Sequence, residues 1–219
     1  MTDASLPRLT YFVFRGLGEP IRLLFEDQGV PYEDKRVAFG PEWDALKPQM
    51  QFGQLPRLET GELTLFQSQA ILRHLGRAAG LCGEGEVERV RCDISFEAAR
   101  DAQQRLWDHF WAPGSNTAEA AQAFASGQLA EVLATLARWL GEAPYFGGQR
   151  ALACDYYALT VVDEAAAFFP EAVAAAPTIA AYQRRMYARP GLAAYAASGR
   201  QSPWFGFDPA RGIRRPSES

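Results

Sequence analysis

The sequence predicts two domains, an α/β domain with the element order β-α-β-α-β-β-α followed by an all-helical domain. Two observations support this division. Apolar, β-branched runs alternate with helical patterns only in the first part of the chain. From about residue 86 onward Ala, Glu, Arg, Gln and Leu dominate, and apolar residues recur at helical spacing. We therefore predict domains over residues 1–83 and 84–219.

The α/β pattern begins with residues 8–14, which are mostly β-branched, aromatic or aliphatic and predict a buried strand. The Gly-rich turn at residues 15–20 ends this strand, and Pro20 suits the first turn of the following helix. Residues 31–37 predict a short second strand with outward charges. Gly and Pro at residues 40 and 41 then open a connecting segment.

A hairpin and a helix complete this domain. Residues 55–59 and 63–66 flank Thr60-Gly61-Glu62, which is a hairpin signal, and Ser68 can cap the next helix. The helical domain shows apolar periodicity over four stretches, residues 87–111, 117–141, 155–169 and 177–188.

Composition and charge exclude several classes of protein. Hydrophobic residues make up 48% and charged residues 22% of the chain, as in ordinary globular proteins. A formal net charge of −4 argues against a nucleic-acid-binding surface, which needs clustered Lys and Arg. Three cysteines without a CxxC pair predict neither a zinc site nor a disulfide framework. No apolar run reaches the roughly 18 residues of a membrane span, so we expect a cytoplasmic protein without metal or membrane partners.

Three blocks of sequence resemble a known family. These are Tyr-Phe-Val-Phe-Arg-Gly at residues 11–16, Phe-Gly-Gln-Leu-Pro at 52–56 and Leu-Phe-Gln-Ser-Gln-Ala-Ile-Leu-Arg-His-Leu-Gly at 65–76. In this order they resemble the thioredoxin-like domain of cytosolic glutathione transferases, especially the tyrosine-dependent pi, mu and sigma classes. The resemblance implies a homodimeric detoxification enzyme that adds the glutathione thiolate to small hydrophobic electrophiles.

The resemblance gives Tyr11 the catalytic role. A free thiol has a pKa near 8.5, so only a few percent is thiolate at neutral pH, and the thiolate is the nucleophile. A hydroxyl that donates to the sulfur stabilises the charged form. Lowering the thiol pKa by roughly two units takes about 2.7 kcal/mol of preferential stabilisation.

Further positions match the family's glutathione-binding residues. Pro56 would follow a cis peptide bond, and Leu55 would offer its backbone to the cysteinyl part of glutathione. Ser68, at a helix N-terminus, would bind the γ-glutamyl carboxylate. Asp101 matches an aspartate that reaches across the dimer interface, although the same acidic stripe also suits a solvated face. The full predicted set is Arg15, Trp43, Lys47, Gln54, Leu55, Pro56, Gln67, Ser68 and Asp101.

Aromatic residues predict the pocket for the second substrate. Trp107 and Trp111 are four residues apart and share one helix face, and such a pocket favours flat, apolar substrates. Packing between the domains is the alternative role for these side chains. Phe52 matches the aromatic side chain that inserts into the partner subunit of pi- and mu-like dimers. The predicted pocket residues are Phe12, Phe14, Trp107, Trp111, Phe205 and Phe207.

Some features depart from the family pattern or leave alternatives open. Leu17 stands where the pi pattern has a second basic residue, so the class stays open and Arg15 is the candidate cation. Leu152 replaces the hydroxyl residue that caps a helix near residue 153, three residues before Asp155. A glutathione-dependent isomerase resembling prostaglandin synthases, and a non-catalytic relative, are the alternative functions.

Overall fold

The computed structural model describes residues 6–206 and confirms the predicted fold class. The α/β part contains β1 (Arg8–Phe12), α1 (Glu19–Asp27), β2 (Glu33–Val37), α2 (Pro41–Leu46), β3 (Arg57–Thr60), β4 (Leu63–Phe66) and α3 (Ser68–Ala78). The helical part contains α4 (Glu86–Trp111), α5 (Ala118–Phe124), α6 (Ala130–Leu140), α7 (Ala153–Phe168), α8 (Pro170–Ala174), α9 (Pro177–Tyr187) and α10 (Pro190–Ala197). The predicted domain boundary at residue 83 falls between α3 and α4.

The strands form a mixed sheet in the order β2-β1-β3-β4. Strand β1 runs parallel to β2 and antiparallel to β3, and Leu9 of β1 lies opposite Leu58 of β3 in the core. This central position buries the end of β1, where Tyr11 and Phe12 are 4% and 9% exposed. Residues that follow β1 are therefore held against a rigid sheet.

The helical part is organised around α7, which is buried along most of its length and packs on α4, α1 and α3. Helices α5 and α6 join through a π-helical segment, Ala125–Leu129, so the predicted stretch 117–141 is one continuous run. Helices α8 and α10 were not predicted, because five and eight residues are too few to show a period. Gly191 lets α10 approach α1, since a Cβ there would lie 2.5 Å from the carbonyl oxygen of Glu26.

The start of α7 is capped without the missing hydroxyl. The carboxylate of Asp155 accepts hydrogen bonds from the backbone N–H groups of Leu152, Phe146 and Gly147, at 2.9, 2.7 and 3.0 Å. The carbonyl oxygen of Leu152 accepts the N–H of Asp155 at 3.0 Å. Backbone groups thus supply the compensation that the loss of a capping Ser or Thr requires.

Candidate active site

Tyr11 lies at the end of the central strand with its hydroxyl facing the glycine-rich turn. The backbone N–H of Leu17 donates to the Tyr11 hydroxyl oxygen at 2.9 Å. Within residues 6–206 the hydroxyl makes no hydrogen bond as a donor, so its hydrogen can serve a ligand. Burial raises the pKa of Tyr11 well above its ordinary value, although the Leu17 hydrogen bond opposes this. Tyr11 is therefore a neutral phenol and a hydrogen-bond donor at physiological pH.

Two glycines allow the turn to approach this side chain. Gly16 has a φ of +37°, and a Cβ there would lie 2.5 Å from the Tyr11 hydroxyl oxygen. A Cβ on Gly18 would overlap the Tyr11 ring, 2.5 Å from its Cγ. Both positions exclude a side chain, which explains the Gly-x-Gly spacing of the turn.

Arg22 binds the backbone at the same end of β1, and the sequence analysis did not identify it as a site residue. Its fully buried guanidinium donates to the carbonyl oxygens of Phe12 and Phe14, both at 3.1 Å, and to the Asp34 carboxylate. The Glu19 carboxylate also forms an ion pair with the Arg22 guanidinium, at 3.3 Å. An arginine inside the apolar face of α1 was the signal available in the sequence, because a buried charge requires such partners.

Five of the residues predicted to bind glutathione's peptide part lie together around Leu17, the residue that contacts the Tyr11 hydroxyl. The Leu55–Pro56 peptide bond is cis, and Gln67 has a φ of +67°, which is unusual for a residue with a side chain. Ser68 is 6% exposed at the start of α3. A small cavity of about 30 Å³ and a groove of about 330 Å³ are both lined by Leu17, Gln67 and Ser68. The smaller is also lined by Gln54, Leu55 and Pro56, and the larger extends to α4.

Three other predicted residues lie further out. Trp43 packs its ring edge-on against Phe12, with the ring centroids 5.1 Å apart, and Lys47 is exposed beside Gly53. The side chain of Asp101 is 68% exposed and pairs with Arg100 at 2.9 Å. Within this single chain, Asp101 lines a surface groove on α4 and α6 and not the groove at Gln67 and Ser68.

Arg15 turns toward α7 and toward residues 198–206, which follow α10 and form the C-terminal segment. Its Nε donates to the carbonyl oxygen of Ser202 at 2.6 Å, and its guanidinium lies 3.4 Å from the Asp163 carboxylate. The guanidinium also lies over the Phe205 ring, 4.3 Å from the centroid. The backbone N–H groups of Arg15 and Gly16 donate to the carbonyl oxygens of residues 204 and 205, both at 2.7 Å. These contacts place Arg15 beside the aromatic cavity, where it holds the C-terminal segment, and not beside Ser68.

The aromatic cavity lies between the turn after β1, helices α4 and α7 and the C-terminal segment. Its volume is about 180 Å³. It is lined by the predicted Phe14, Trp107, Trp111 and Phe205, together with Tyr11, Gly16, Phe39, Phe110, Glu164, Phe168 and Gly206.

The residues that line the cavity differ from the predicted set at several positions. Phe12 is absent from the cavity wall, because its ring stacks behind Phe14 and on Phe39, with centroid distances of 5.3 and 4.4 Å. Phe207 lies outside the described residues. Phe39, Phe110 and Phe168 were missed, since single aromatics in separate segments carry no local signal that they share a cavity.

Among the described residues, Glu164 supplies the one carboxyl group on the cavity wall. Glu164 is 5% exposed, and the Trp107 indole Nε1 donates to its two carboxyl oxygens at 3.1 and 3.3 Å. Burial raises the pKa of Glu164 to about 7, despite the opposing hydrogen bonds from Trp107 and Gln103. The sequence prediction missed Glu164, because a helix buried on all sides shows no amphipathic pattern that would mark an inward carboxyl.

Two family models match this chain. The glutathione S-transferase N-terminal domain matches residues 7–77, and the glutathione S-transferase C-terminal domain matches residues 100–199. The chain belongs to the glutathione S-transferase family. Members of this family are enzymes, and the fold of this transferase supports glutathione transferase activity.

Relatives of this transferase match it over most of its length. It is 33% identical to glutathione S-transferase P of Caenorhabditis elegans, over 86% of this chain and 90% of the relative. The solved pi-class glutathione S-transferase of Onchocerca volvulus is 31% identical, with a TM-score of 0.82 over 89% of this chain and 93% of that one. Prostaglandin synthase D of Nilaparvata lugens is 25% identical, with a TM-score of 0.79 over 88% and 98%.

Within residues 6–206 no helix is long and apolar enough to cross a bilayer. The same residues contain no group of three or more His, Cys, Asp or Glu side chains placed to hold a metal ion.

Proposed function

We propose that this transferase adds the thiolate of glutathione to small hydrophobic electrophiles, with Tyr11 as the donor to the sulfur. The observation that supports this role is the orientation of Tyr11. Its hydroxyl oxygen is occupied by the Leu17 N–H, its hydrogen is free, and it lines the aromatic cavity. A thiol bound next to Leu17 would lie between the polar groove and that cavity.

The neutral state of Tyr11 sets the chemistry. A phenol that keeps its proton can donate a charge-assisted hydrogen bond to a thiolate, whereas a phenolate would repel it. The N–H of Leu17 withdraws charge from the phenol oxygen and strengthens it as a donor. These two effects act in the same direction, toward the ionised thiol.

We propose that the peptide part of glutathione binds the loops beside Tyr11. Leu55 offers backbone groups just before the cis proline, and Gln67 and Ser68 offer the N–H groups at the start of α3. Gln54, Trp43 and Lys47 complete this set, with Lys47 as the exposed cation for the glycyl carboxylate. Arg15 is left out of it, because its guanidinium already contacts Asp163, Ser202 and Phe205.

We also propose that the protein works as a cytoplasmic homodimer in detoxification. Phe52 is 58% exposed, and Val87, Val90 and Ile94 form an exposed apolar stripe along α4, at 83%, 46% and 45%. A second copy that covers these residues could also receive Asp101 near its glutathione. Sedimentation equilibrium of the wild-type protein at micromolar concentration tests this, and a monomer would contradict it.

The test of the catalytic role compares Tyr11→Phe with wild type in the conjugation of glutathione to chlorodinitrobenzene. We expect kcat to fall roughly 10- to 10³-fold with little change in the affinity for glutathione, because the lost bond acts on the reacting thiolate. The apparent thiol pKa, read from thiolate absorbance, should lie below 8.5 in the wild-type complex and rise in the variant.

Tyr32→Phe is the matched control, since it removes a hydroxyl from the same domain that donates to Glu26. Wild-type turnover in Tyr11→Phe would move the role to another group. If the wild-type protein binds glutathione without conjugating any electrophile, isomerase chemistry of the prostaglandin synthase kind becomes the better proposal, and the similarity to prostaglandin synthase D favours testing it next.

A further inference from the structure

Glu164 is a carboxyl group in a cavity whose other walls are mostly aromatic. Among the residues that the structure describes, Tyr11 supplies the hydroxyl group on the cavity wall, and Glu164 supplies the carboxyl group. A buried carboxyl in such a place is costly, and it needs either a cation or a proton. Nothing in the proposed glutathione site uses it.

Asp163, the residue before Glu164, shows how a buried carboxylate is normally compensated. Asp163 pairs with Arg15 and also accepts hydrogen bonds from Gln183 and Tyr187. Glu164 forms no ion pair within residues 6–206, and its hydrogen bonds come from neutral groups, Trp107 and Gln103. Burial raises its pKa to about 7, so the protonated acid is a major form near neutral pH.

Among the described residues, the groups that interact with Glu164 carry no positive charge that would hold it ionised, and the hydrogen bonds from Trp107 and Gln103 oppose the rise of its pKa without cancelling it. From β1 the neutral phenol of Tyr11 interacts with it, and on α7 Tyr157 does so. Helix α4 presents Trp107 and Gln103, and the C-terminal segment presents the uncharged Phe205. Arg15, the cation that contacts the preceding residue of α7, already pairs with Asp163. A thiolate held by Tyr11 would add a negative charge and raise the pKa of Glu164 further.

Electrophiles differ in whether they require a proton. When a thiolate displaces chloride from an aryl ring, the C–S bond forms, the C–Cl bond breaks and the electron pair leaves with chloride, so no acid is needed. When a thiolate adds to an α,β-unsaturated ketone, the C–S bond forms at the β-carbon and the π electrons move to the carbonyl oxygen. The resulting enolate must then take up a proton.

We propose that the acid form of Glu164 protonates the enolate formed when glutathione adds to α,β-unsaturated ketones and aldehydes. The proton moves from the carboxyl group to the enolate, leaving the carboxylate, and solvent returns a proton to Glu164 after the product leaves. This inference rests on the proposed function, since it requires the thiolate at Tyr11. It assigns Glu164 as a catalytic residue for one substrate class.

The test compares benzylideneacetone, an aryl enone, with chlorodinitrobenzene in the wild type and in Glu164→Gln. The amide keeps the size of the side chain and can still accept the Trp107 N–H, but it cannot give up a proton. We expect the ratio of the two kcat/KM values, enone over chloroarene, to fall about 10- to 100-fold in the variant. Asp108→Asn is the matched control, because it neutralises an exposed carboxyl next to Trp107 and should keep the wild-type ratio.

A second measurement needs no variant. In the wild type the same ratio should fall as the pH rises above about 7, because Glu164 then loses its proton. Thiolate formation affects both substrates and cancels in the ratio. An unchanged ratio in Glu164→Gln together with a pH-independent ratio in the wild type would overturn the assignment of Glu164. A wild-type protein that conjugates neither substrate would instead overturn the proposed function.

Discussion

The two sides of the candidate cleft are built in different ways. On the glutathione side, short segments around Leu17, Leu55 and Ser68 line the small cavity, and the segments around Leu17 and Ser68 also form one wall of the polar groove, opposite α4 and α7. On the electrophile side, the cavity is lined by side chains from the turn after β1, Phe39, α4, α7 and the C-terminal segment. The first depends on backbone geometry, and the second on where distant helices bring their aromatic rings. The two sides should therefore respond to mutation in different ways.

Among the variants that compare the two sides, the largest effect is expected for Gly18→Ala, at the point where both sides meet. Gly18 has an ordinary right-handed backbone, with a φ of −82°, so alanine is harmful there only because its Cβ overlaps the Tyr11 ring. We expect kcat/KM with chlorodinitrobenzene to fall about 10²-fold, the effect of moving a reacting group by about 1 Å. Gly127→Ala is the matched control, since a Cβ there meets nothing within 4 Å and alanine favours the helix.

A wild-type rate in Gly18→Ala would show that the turn yields without moving Tyr11, and that the close packing seen here has no catalytic consequence. Circular dichroism and thermal unfolding of the variant separate a displaced tyrosine from a misfolded domain.

An intermediate effect is expected for Arg15→Ala, which distinguishes the two sides directly. The sequence resemblance placed Arg15 with glutathione, whereas its contacts hold the C-terminal segment over the aromatic cavity. We expect the KM for the electrophile to rise about tenfold, since loosening a group that forms a hydrogen bond with a charge costs about 1.5–3 kcal/mol. The KM for glutathione should change less.

Initial rates measured while each substrate is varied decide between these two roles. Arg8→Ala serves as the control, because Arg8 forms an exposed ion pair with Glu33 that should contribute little. A rise in the glutathione KM alone would restore Arg15 to the glutathione side.

The contrast between the two sides also explains what the sequence could predict. Pro56, Ser68 and the Gly16–Gly18 turn are residue types that a particular backbone conformation requires, so the local sequence marks them. The element order followed from the same local signals and from helical periodicity. By comparison, Phe39 and Glu164 are 125 positions apart in the chain and share a cavity only because the helical part packs on the sheet. No local pattern encodes that proximity.

Arg15 illustrates the same limit from the other direction. Its position in the turn was predicted, but its orientation depends on Asp163 and on the segment around Ser202, which lie 148 and 187 residues later in the chain. A charged side chain takes the partners that the tertiary fold offers. The side of the cleft to which the Arg15 side chain turns is therefore a property of the fold and not of the motif.

The smallest effect concerns stability, and it tests the electrophile side without any substrate. Burial raises the pKa of Glu164 from an ordinary 4.5 to about 7, so between these values the folded protein binds a proton that the unfolded chain has released. Stability from this group is complete below about 4.5 and is lost as the pH rises through about 7. Glu164→Gln removes this loss, so its free energy of unfolding relative to wild type should increase by about 1–3 kcal/mol between roughly pH 5 and pH 8. Asp155 and Asp163, whose pKa values burial also raises to about 6, are present in both proteins and cancel in the comparison.

Urea unfolding at equal protein concentration measures the difference, with Asp108→Asn as the control that should show no such change. A pH-independent difference would mean that Glu164 is ionised in the folded protein throughout this range. The electrophile cavity would then hold a carboxylate and not an acid, and it would favour substrates with a hydrogen-bond donor or a positive charge over enones.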